Sequence, residues 1–239
     1  MRLLDRRAAR VFAPLVVCLS LSILGVVTAC WLTSQAAILR SVLLSFISAI
    51  FFVRFAFMLL VFVPRAVPWW EAVCTGGGMC LLPAIFVISS TGAPPMSWLD
   101  LPAALLHIIG SLLTTASELQ RWRWKPHHPG RLYVDGLFAL AKHINYTGEV
   151  LCFMGWSLLT TSLTTLLVPL GFALALRVAY APDLDVHLRR RYANDPRFAQ
   201  WQTLPCMLPA ARDVGCPLYA SVAVVAVAAL ARAAELAAS

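Results

Sequence analysis

Polar side chains able to do chemistry gather in two stretches of an otherwise apolar chain. Residues 117–149 read SELQRWRWKPHHPGRLYVDGLFALAKHINYTGE, and residues 183–213 read DLDVHLRRRYANDPRFAQWQTLPCMLPAARD. In the first, Arg121, Arg123 and Lys125 alternate with Trp122 and Trp124. Guanidinium groups clamp phosphates and flat aromatic faces stack on rings, while Glu118 beside them can bond a ribose hydroxyl or hold an arginine in place. The same pattern also reads as the frayed interfacial end of a membrane span, with tryptophan at headgroup level. Further on, Thr147 and Gly148 mark a helix start, where the dipole favours the carboxylate of Glu149. Asn145, Tyr146 and Glu149 together offer one polar ligand a donor, an acceptor and a negative charge. In the second stretch Asp185, Arg189, Arg190 and Tyr192 follow a helical pattern, with Asp185 and Arg189 as an i,i+4 pair. Of three consecutive arginines, at most two can face one ligand. Trp201 and the segment 205–209 close the stretch. The chemistry these types suggest is the binding of a phosphate-bearing cofactor; the alternative is electrostatic contact with anionic headgroups.

The elements that must position these groups are membrane helices. The chain is 60% hydrophobic with only 13% charged residues and a mean hydropathy of +0.79, which excludes an ordinary soluble domain. Apolar windows near the ~20 residues needed to cross a bilayer fall at 11–32, 41–63 (interrupted by Arg54), 72–90, 101–117 (containing His107), 150–176 and 216–231. The window 150–176 is too long for one crossing and too short for two full ones. Thr160, Thr161, Thr164 and Thr165 lie at its middle with Pro169 beyond, so it predicts a hairpin of two short helices. Its bend must be buried in protein or lie near an interface. The expectation is an all-α, polytopic integral membrane protein of six to seven membrane segments. It divides into an N-terminal membrane region (1–116), a region bearing the polar stretches and the hairpin (117–213) and a last helix with tail (214–239).

Orientation follows from the lysine and arginine bias of short loops. Arg2, Arg6, Arg7 and Arg10 put the N-terminus in the cytosol, and four crossings later residues 117–149 are cytosolic again. The hairpin returns Arg177 and the following arginines to that same side, so the two polar stretches are expected to face each other. Arg40, placed in the first outside loop, is the exception to the bias. The basic N-terminus also allows a mitochondrial address, although the apolar run behind it reads as an anchor that stays.

Several chemistries lack their motifs. There is no GxGxxG turn after a strand, no phosphate-binding Walker loop and no HExxH. His127-His128, flanked by Pro126 and Pro129, reads as a turn rather than a metal site. The seven cysteines lie mostly in apolar windows without CxxC spacing, as small hydrophobes. Net charge of +8 reflects basic cytosolic loops and does not point to nucleic acid. Asn145-Tyr146-Thr147 fits a glycosylation pattern on the wrong side of the membrane.

Gly136-Leu137-Phe138 followed by Lys142-His143-Ile144-Asn145-Tyr146-Thr147-Gly148-Glu149 resembles the Gly-Leu-Trp…Arg-His-Pro-Asn-Tyr-Phe-Gly-Glu signature of the steroid 5α-reductase C-terminal-like membrane enzymes. Residues 117–121, SELQR, are similar to the Asp-x-Gln-Lys element that precedes it. Asp185 to Tyr192, with Trp201 and Pro209, is similar to the closing element. The resemblance implies NADPH as cofactor, with contacts at Glu118, Arg121, Asn145, Tyr146, Glu149, Asp185, Arg190 and Tyr192. Arg123, Lys142, His143, Arg189 and Trp201 complete the candidate set. It further implies reduction of a C=C bond in a sterol or other lipid at the endoplasmic reticulum membrane.

This chain departs from the pattern at Lys142 for Arg, Ile144 for Pro and Trp201 for Tyr. Reductases of this kind draw a Glu and a Tyr from the N-terminal half, whereas here no Tyr precedes Tyr133 and Glu71 is the one Glu before Glu118. Glu71 and the intramembrane His107 are therefore the candidate catalytic groups, each with a bland alternative: an interfacial anchor and a hydrogen-bonded core histidine. Two other readings stay open. A related branch of methyltransferases uses S-adenosylmethionine, and a non-catalytic lipid-binding descendant would keep the fold alone.

Overall fold

The computed structural model describes residues 38–62, 81–98 and 100–207, and every regular element among them is helical. Helix α1 (Ile38–Phe57) continues through a π-helical turn, Met58–Phe62. Residues 81–89 form α2. Helix α3 (Asp100–Trp124) is prolonged by a 3-10 turn, Lys125–His127. A second such turn, Gly136–Ala139, precedes α4 (Ile144–Leu159). The chain then bends into α5 (Leu167–Ala175), which runs through a π-helical turn, Leu176–Tyr180, into α6 (Ala181–Tyr192), and α7 (Phe198–Thr203) follows. Among the described residues, three stretches are long and apolar enough to cross a membrane: Ile38–Phe55, Asp100–His127 and Leu163–Tyr192. The windows 11–32 and 216–231, the first part of 72–90 and Glu71 lie outside the described residues.

The chain divides into two compact units, residues 1–97 with 159–165, and residues 98–158 with 166–239. In the first, α1 turns Leu39, Val42, Phe46, Ile50, Val53 and Phe57 outward and buries Leu44, Ile47, Phe51 and Phe52. Outward positions three and four apart make one stripe of a helix, here apolar because its solvent is lipid. Arg40 is not a loop residue as its charge suggested. It lies in α1 at 1% exposure, where Nη1 donates to the Leu159 carbonyl at 2.6 Å and Nη2 to Pro95 at 3.4 Å. A carbonyl at a helix C-terminus has no partner within its own helix, so a buried guanidinium is well matched to the last residue of α4. The contact also sets the start of α1, the loop at Pro95 and the bend after α4 at one level. Arg54 is likewise mostly buried, its guanidinium 5.4 Å from the Phe51 ring centroid.

The bend itself matches the Thr-rich turn expected from sequence. Thr160 and Thr165 hydroxyls meet at 2.8 Å, Thr165 donates to the Ser162 carbonyl at 2.7 Å, and both threonines are buried. Such side-chain bonds give the backbone an alternative to helix, and Thr161 completes the reversal at a φ of 59°.

In the second unit α3 and α4 run antiparallel along a seam of small residues. A Cβ on Gly155 would lie 2.5 Å from both the Ala103 carbonyl and the His107 nitrogen, and one on Gly148 would lie 2.7 Å from the Gly110 carbonyl and the Thr114 nitrogen. Gly110 in turn faces Cys152 and Gly148. Close backbone approach of this kind supplies the van der Waals packing that holds helices together where lipid removes the hydrophobic drive. It also corrects the assignment of Gly148 to a helix start. The helix begins at Ile144, and Gly148 is an interior contact that only a residue without Cβ can make. Phe153 packs edge-on to Phe172 at 5.0 Å as the chain returns along α5.

Length decides where the polar stretches emerge. At about 1.5 Å per residue the 28 residues of Asp100–His127 extend roughly 42 Å, beyond the ~30 Å hydrocarbon core. The excess is the polar end from Glu118 onward. The 30 residues of Leu163–Tyr192 overshoot similarly and carry Asp183 to Tyr192. Nor is the Trp122–Trp124 end frayed: α3 is helical through Trp124, whose ring stacks on His128 at 4.0 Å.

Candidate functional site

The two polar stretches, separated by the hairpin in sequence, meet in the second unit. Lys125 donates to the Tyr192 hydroxyl at 2.7 Å and to the Arg131 carbonyl at 3.0 Å, with its ammonium 4.7 Å from the Tyr192 ring centroid. Leu132 N–H donates to Asp195 at 2.7 Å, and Arg197 pairs with Asp135 at 2.7 Å. Leu132, Val134, Tyr192 and Trp201 form the small apolar core beneath these bonds. Burial pushes the Asp195 carboxyl up, but donation from the Arg197 and Leu132 backbone N–H groups outweighs it and holds the group below the usual carboxylate range.

Above this clasp, α3 and α4 present the first polar network. Glu118 is 4% exposed. One carboxylate oxygen accepts from Asn145 Nδ2 at 2.9 Å and the other from Arg121, one helical turn away. A carboxylate leaving water needs such partners, and the Thr114 hydroxyl, donating to the Asn145 carbonyl at 3.0 Å, ties the network to the glycine seam. The Arg121 guanidinium lies 5.5 Å from the Phe138 ring centroid and keeps 40% of its side chain exposed. Gly136 makes the approach possible. Its φ of 58° turns the chain so that Leu137 N–H reaches Gln120 Oε1 at 2.9 Å.

The second network joins α4 to α6. His143, 2% exposed, bonds through Nε2 to Asp185 at 2.8 Å and stacks on Tyr146 with centroids 5.0 Å apart. Its backbone N–H donates to the Cys206 carbonyl at 2.9 Å, as that of Lys142 does to Pro205. Burial holds the imidazole below its ordinary value of 6.5 in spite of the Asp185 carboxylate, and it raises the Cys206 thiol. Lys142 lies 4.4 Å from the Trp201 ring centroid.

The structure thus brings together Glu118, Arg121, Lys142, His143, Asn145, Tyr146, Asp185, Tyr192 and Trp201. Arg123, Arg189 and Arg190 are exposed on the same polar ends, and Glu149 is half-buried on α4. Asp185 takes His143 rather than Arg189, contrary to the i,i+4 expectation; an exposed helical ion pair contributes only a few tenths of a kcal/mol against a buried contact. His107 sits in the seam, 3% exposed, its Nδ1 donating to the Cys152 carbonyl at 3.0 Å and its ring edge-on to Trp156. Lys125 and Gln120, read from sequence only as parts of the basic–aromatic alternation and of the SELQR element, turn out to be structural contacts, and sequence reasoning passed over Asp195. Asp195, followed by Pro196, had a legible turn signal.

Residues 78–204 match the family model described as Protein of unknown function (DUF1295). The chain belongs to that family. DUF1295 proteins are grouped with the steroid 5α-reductase-like superfamily, which agrees at that level with the likeness of residues 117–209. No curated protein and no solved structure matches the chain. All the candidate cofactor residues of this DUF1295 protein fall inside the matched segment, as does His107; Glu71 falls outside it.

Proposed function

We propose that this DUF1295 protein is a membrane-embedded, NADPH-dependent reductase acting on a C=C bond of a sterol or other lipid. The observation that carries the reading is the Glu118–Arg121–Asn145 network, which joins α3 to α4 within the first polar stretch. It is supported by the Tyr146 hydroxyl, which makes no hydrogen bond among the described residues, and by the exposed arginines on the polar ends of α3 and α6. A dinucleotide phosphate needs cations for its phosphates and polar groups for its ribose and carboxamide. Arg121, with much of its side chain exposed, and the exposed Arg123, Arg189 and Arg190 suit the first need. Asn145 and Tyr146, set in place by Glu118, suit the second. When bound, NADPH supplies a hydride to an electron-poor carbon.

The chain's own residues orient and shield that ligand. Glu118 holds Arg121 and Asn145 in one arrangement, and the apolar faces of the membrane helices exclude water and strengthen the local electrostatics. The lipid enters sideways from the bilayer, and the cofactor from the cytosolic side of an endoplasmic reticulum membrane. The acid for the reacting bond is expected from Glu71, which lies outside the described residues and has the interfacial anchor as its alternative role. His107, committed to the Cys152 carbonyl, is left as a packing residue.

The test is thermal stability of the detergent-purified protein with NADPH, NADH and S-adenosylmethionine in parallel. A ligand that binds only the folded state stabilises it by about 2.7 kcal/mol at 100 times its Kd. The expected result is a concentration-dependent rise with NADPH that Glu118→Gln and Asn145→Ala abolish. A rise with S-adenosylmethionine alone replaces the reductase by a methyltransferase. Silence from all three favours a lipid-binding protein without catalysis.

A further inference from the structure

His143 and Asp185 entered the candidate set as ligand contacts, but their geometry assigns them another task. The His143 ring is almost fully enclosed, and its outer nitrogen is already engaged by Asp185 at 2.8 Å. One ring face lies on Tyr146, nearly parallel at 13°. Little of the imidazole is left for a ligand. Tyr146 is the reverse case: its ring is held, while its hydroxyl has no hydrogen-bond partner among the described residues.

We infer that Asp185 and His143 are a positioning pair that fixes the Tyr146 ring, and so aims the hydroxyl that the site presents to its ligand. This deepens the reading of the site as a cofactor-binding one and rests on it for the ligand's identity. A carboxylate only accepts hydrogen bonds, so the neutral imidazole carries its proton on Nε2 and exists as one tautomer. A ring pinned at one edge cannot turn about its bond to Cβ, and the tyrosine stacked on it loses rotational freedom with it. Asp185 belongs to α6 and His143 precedes α4, 42 residues earlier. The pair therefore links the orientation of Tyr146 to the docking of α6, and the hydrogen bond from His143 N–H to Cys206 holds segment 205–206 against the same point. Around the pair stand Lys142 and Arg121, with the Cys206 thiol and the Tyr146 phenol. Burial first, and then both cations, oppose a second proton on the imidazole against the pull of the Asp185 carboxylate, which favours the neutral-histidine form of the pair.

Two readouts on the full-length protein in detergent test this. In ¹⁵N-histidine NMR, the signal that disappears in His143→Gln should report an Nε2–H tautomer in the wild type. Asp185→Asn, nearly the same shape but able to donate, should shift it toward Nδ1–H. In NADPH titrations, His143→Gln and Asp185→Asn should each weaken binding by about 5-fold or more, and should have little effect when Tyr146 is already Phe, as coupled neighbours behave in a double-mutant cycle. His143→Gln retains a donor for Asp185 but loses the ring, so full affinity in that variant would overturn the role of the stack. An Nδ1–H tautomer in the wild type would overturn the pair, as would equal losses with and without Tyr146. If the wild type does not bind NADPH at all, the cofactor reading falls alone. The tautomer, and the His143–Tyr146 coupling measured in thermal stability, then still decide the positioning role.

Discussion

The same substitution should have opposite effects at two glycines, because one lies in the α3–α4 seam and the other has nothing near it. On Gly110, an added Cβ meets the Gly148 carbonyl oxygen at 2.5 Å and Cys152 Cα at 2.9 Å, and the Cys152 nitrogen closer still. All three are backbone atoms, so no change of rotamer relieves the overlap. Ordinary contact requires ~3.5 Å between heavy atoms, so the helices must part by about 1 Å along the seam. Overpacking of this kind costs about 1–3 kcal/mol. An overlap with backbone atoms belongs in the upper part of that range, about 2–3 kcal/mol. The better helix propensity of alanine returns about 1 kcal/mol, leaving Gly110→Ala destabilised by roughly 1–2 kcal/mol. Gly171 in α5 has no atom within 4 Å of an added Cβ. Gly171→Ala therefore keeps only the propensity term and should be neutral or stabilised by up to about 1 kcal/mol. For a chain of this size, 1 kcal/mol corresponds to about 2–4 °C in Tm, so Gly110→Ala should melt about 2–8 °C below wild type while Gly171→Ala melts at or above it. Intrinsic fluorescence during heating, in one detergent for all three proteins, makes the comparison. Gly110→Ala melting at or above wild type would refute the seam, as would equal losses at the two sites.

Other expectations follow from single contacts. Arg40→Ala removes the buried guanidinium from the Leu159 carbonyl and should lower stability by at least about 2 kcal/mol, read as a drop in Tm. Asp195→Ala leaves the Leu132 and Arg197 backbone N–H groups without their acceptor. It should cost about 1–3 kcal/mol, whereas Asp195→Asn, which keeps an acceptor oxygen, should cost less in the same melt. His143 should make stability fall in mild acid. Its folded value lies below 6.5, so the unfolded chain takes up a proton that the folded one refuses. The contribution is complete above pH 6.5 and declines as the pH drops below it, until the folded group also protonates. Comparing Tm between pH 7.5 and 5.5 in wild type and His143→Gln isolates this part, and an identical slope in both would refute it.

Much of the architecture is legible in the residue order, because hydropathy and charge are local properties. Apolar windows mark helices wherever the solvent is lipid, so Ile38–Phe55 and Asp100–His127 answer the windows at 41–63 and 101–117. The Thr and Ser hydroxyls at 160–165 compete with helical hydrogen bonds, so the bend was expected there. The meeting of the two polar stretches followed from arginines and lysines grouped at the ends of those windows. The match of Glu118 with Asn145 and Arg121 was half visible, since Arg121 is one turn from Glu118 whereas Asn145 comes from another helix.

What tertiary structure alone decided is which partner each polar or small residue takes. Residue order offered Asp185 a neighbour one turn away in Arg189, yet the carboxylate pairs with a buried imidazole 42 residues distant. It offered Arg40 a loop facing water, yet the guanidinium is enclosed and bonds a carbonyl 119 residues away. It made Gly148 a helix start, where the fold uses it for helix–helix contact. The common cause is desolvation. A buried donor, acceptor or backbone face must be matched by whatever the packing brings alongside, and a mismatch costs far more than an exposed local pair returns. Which groups lose their water is a property of the packed helices, and no window of sequence contains it.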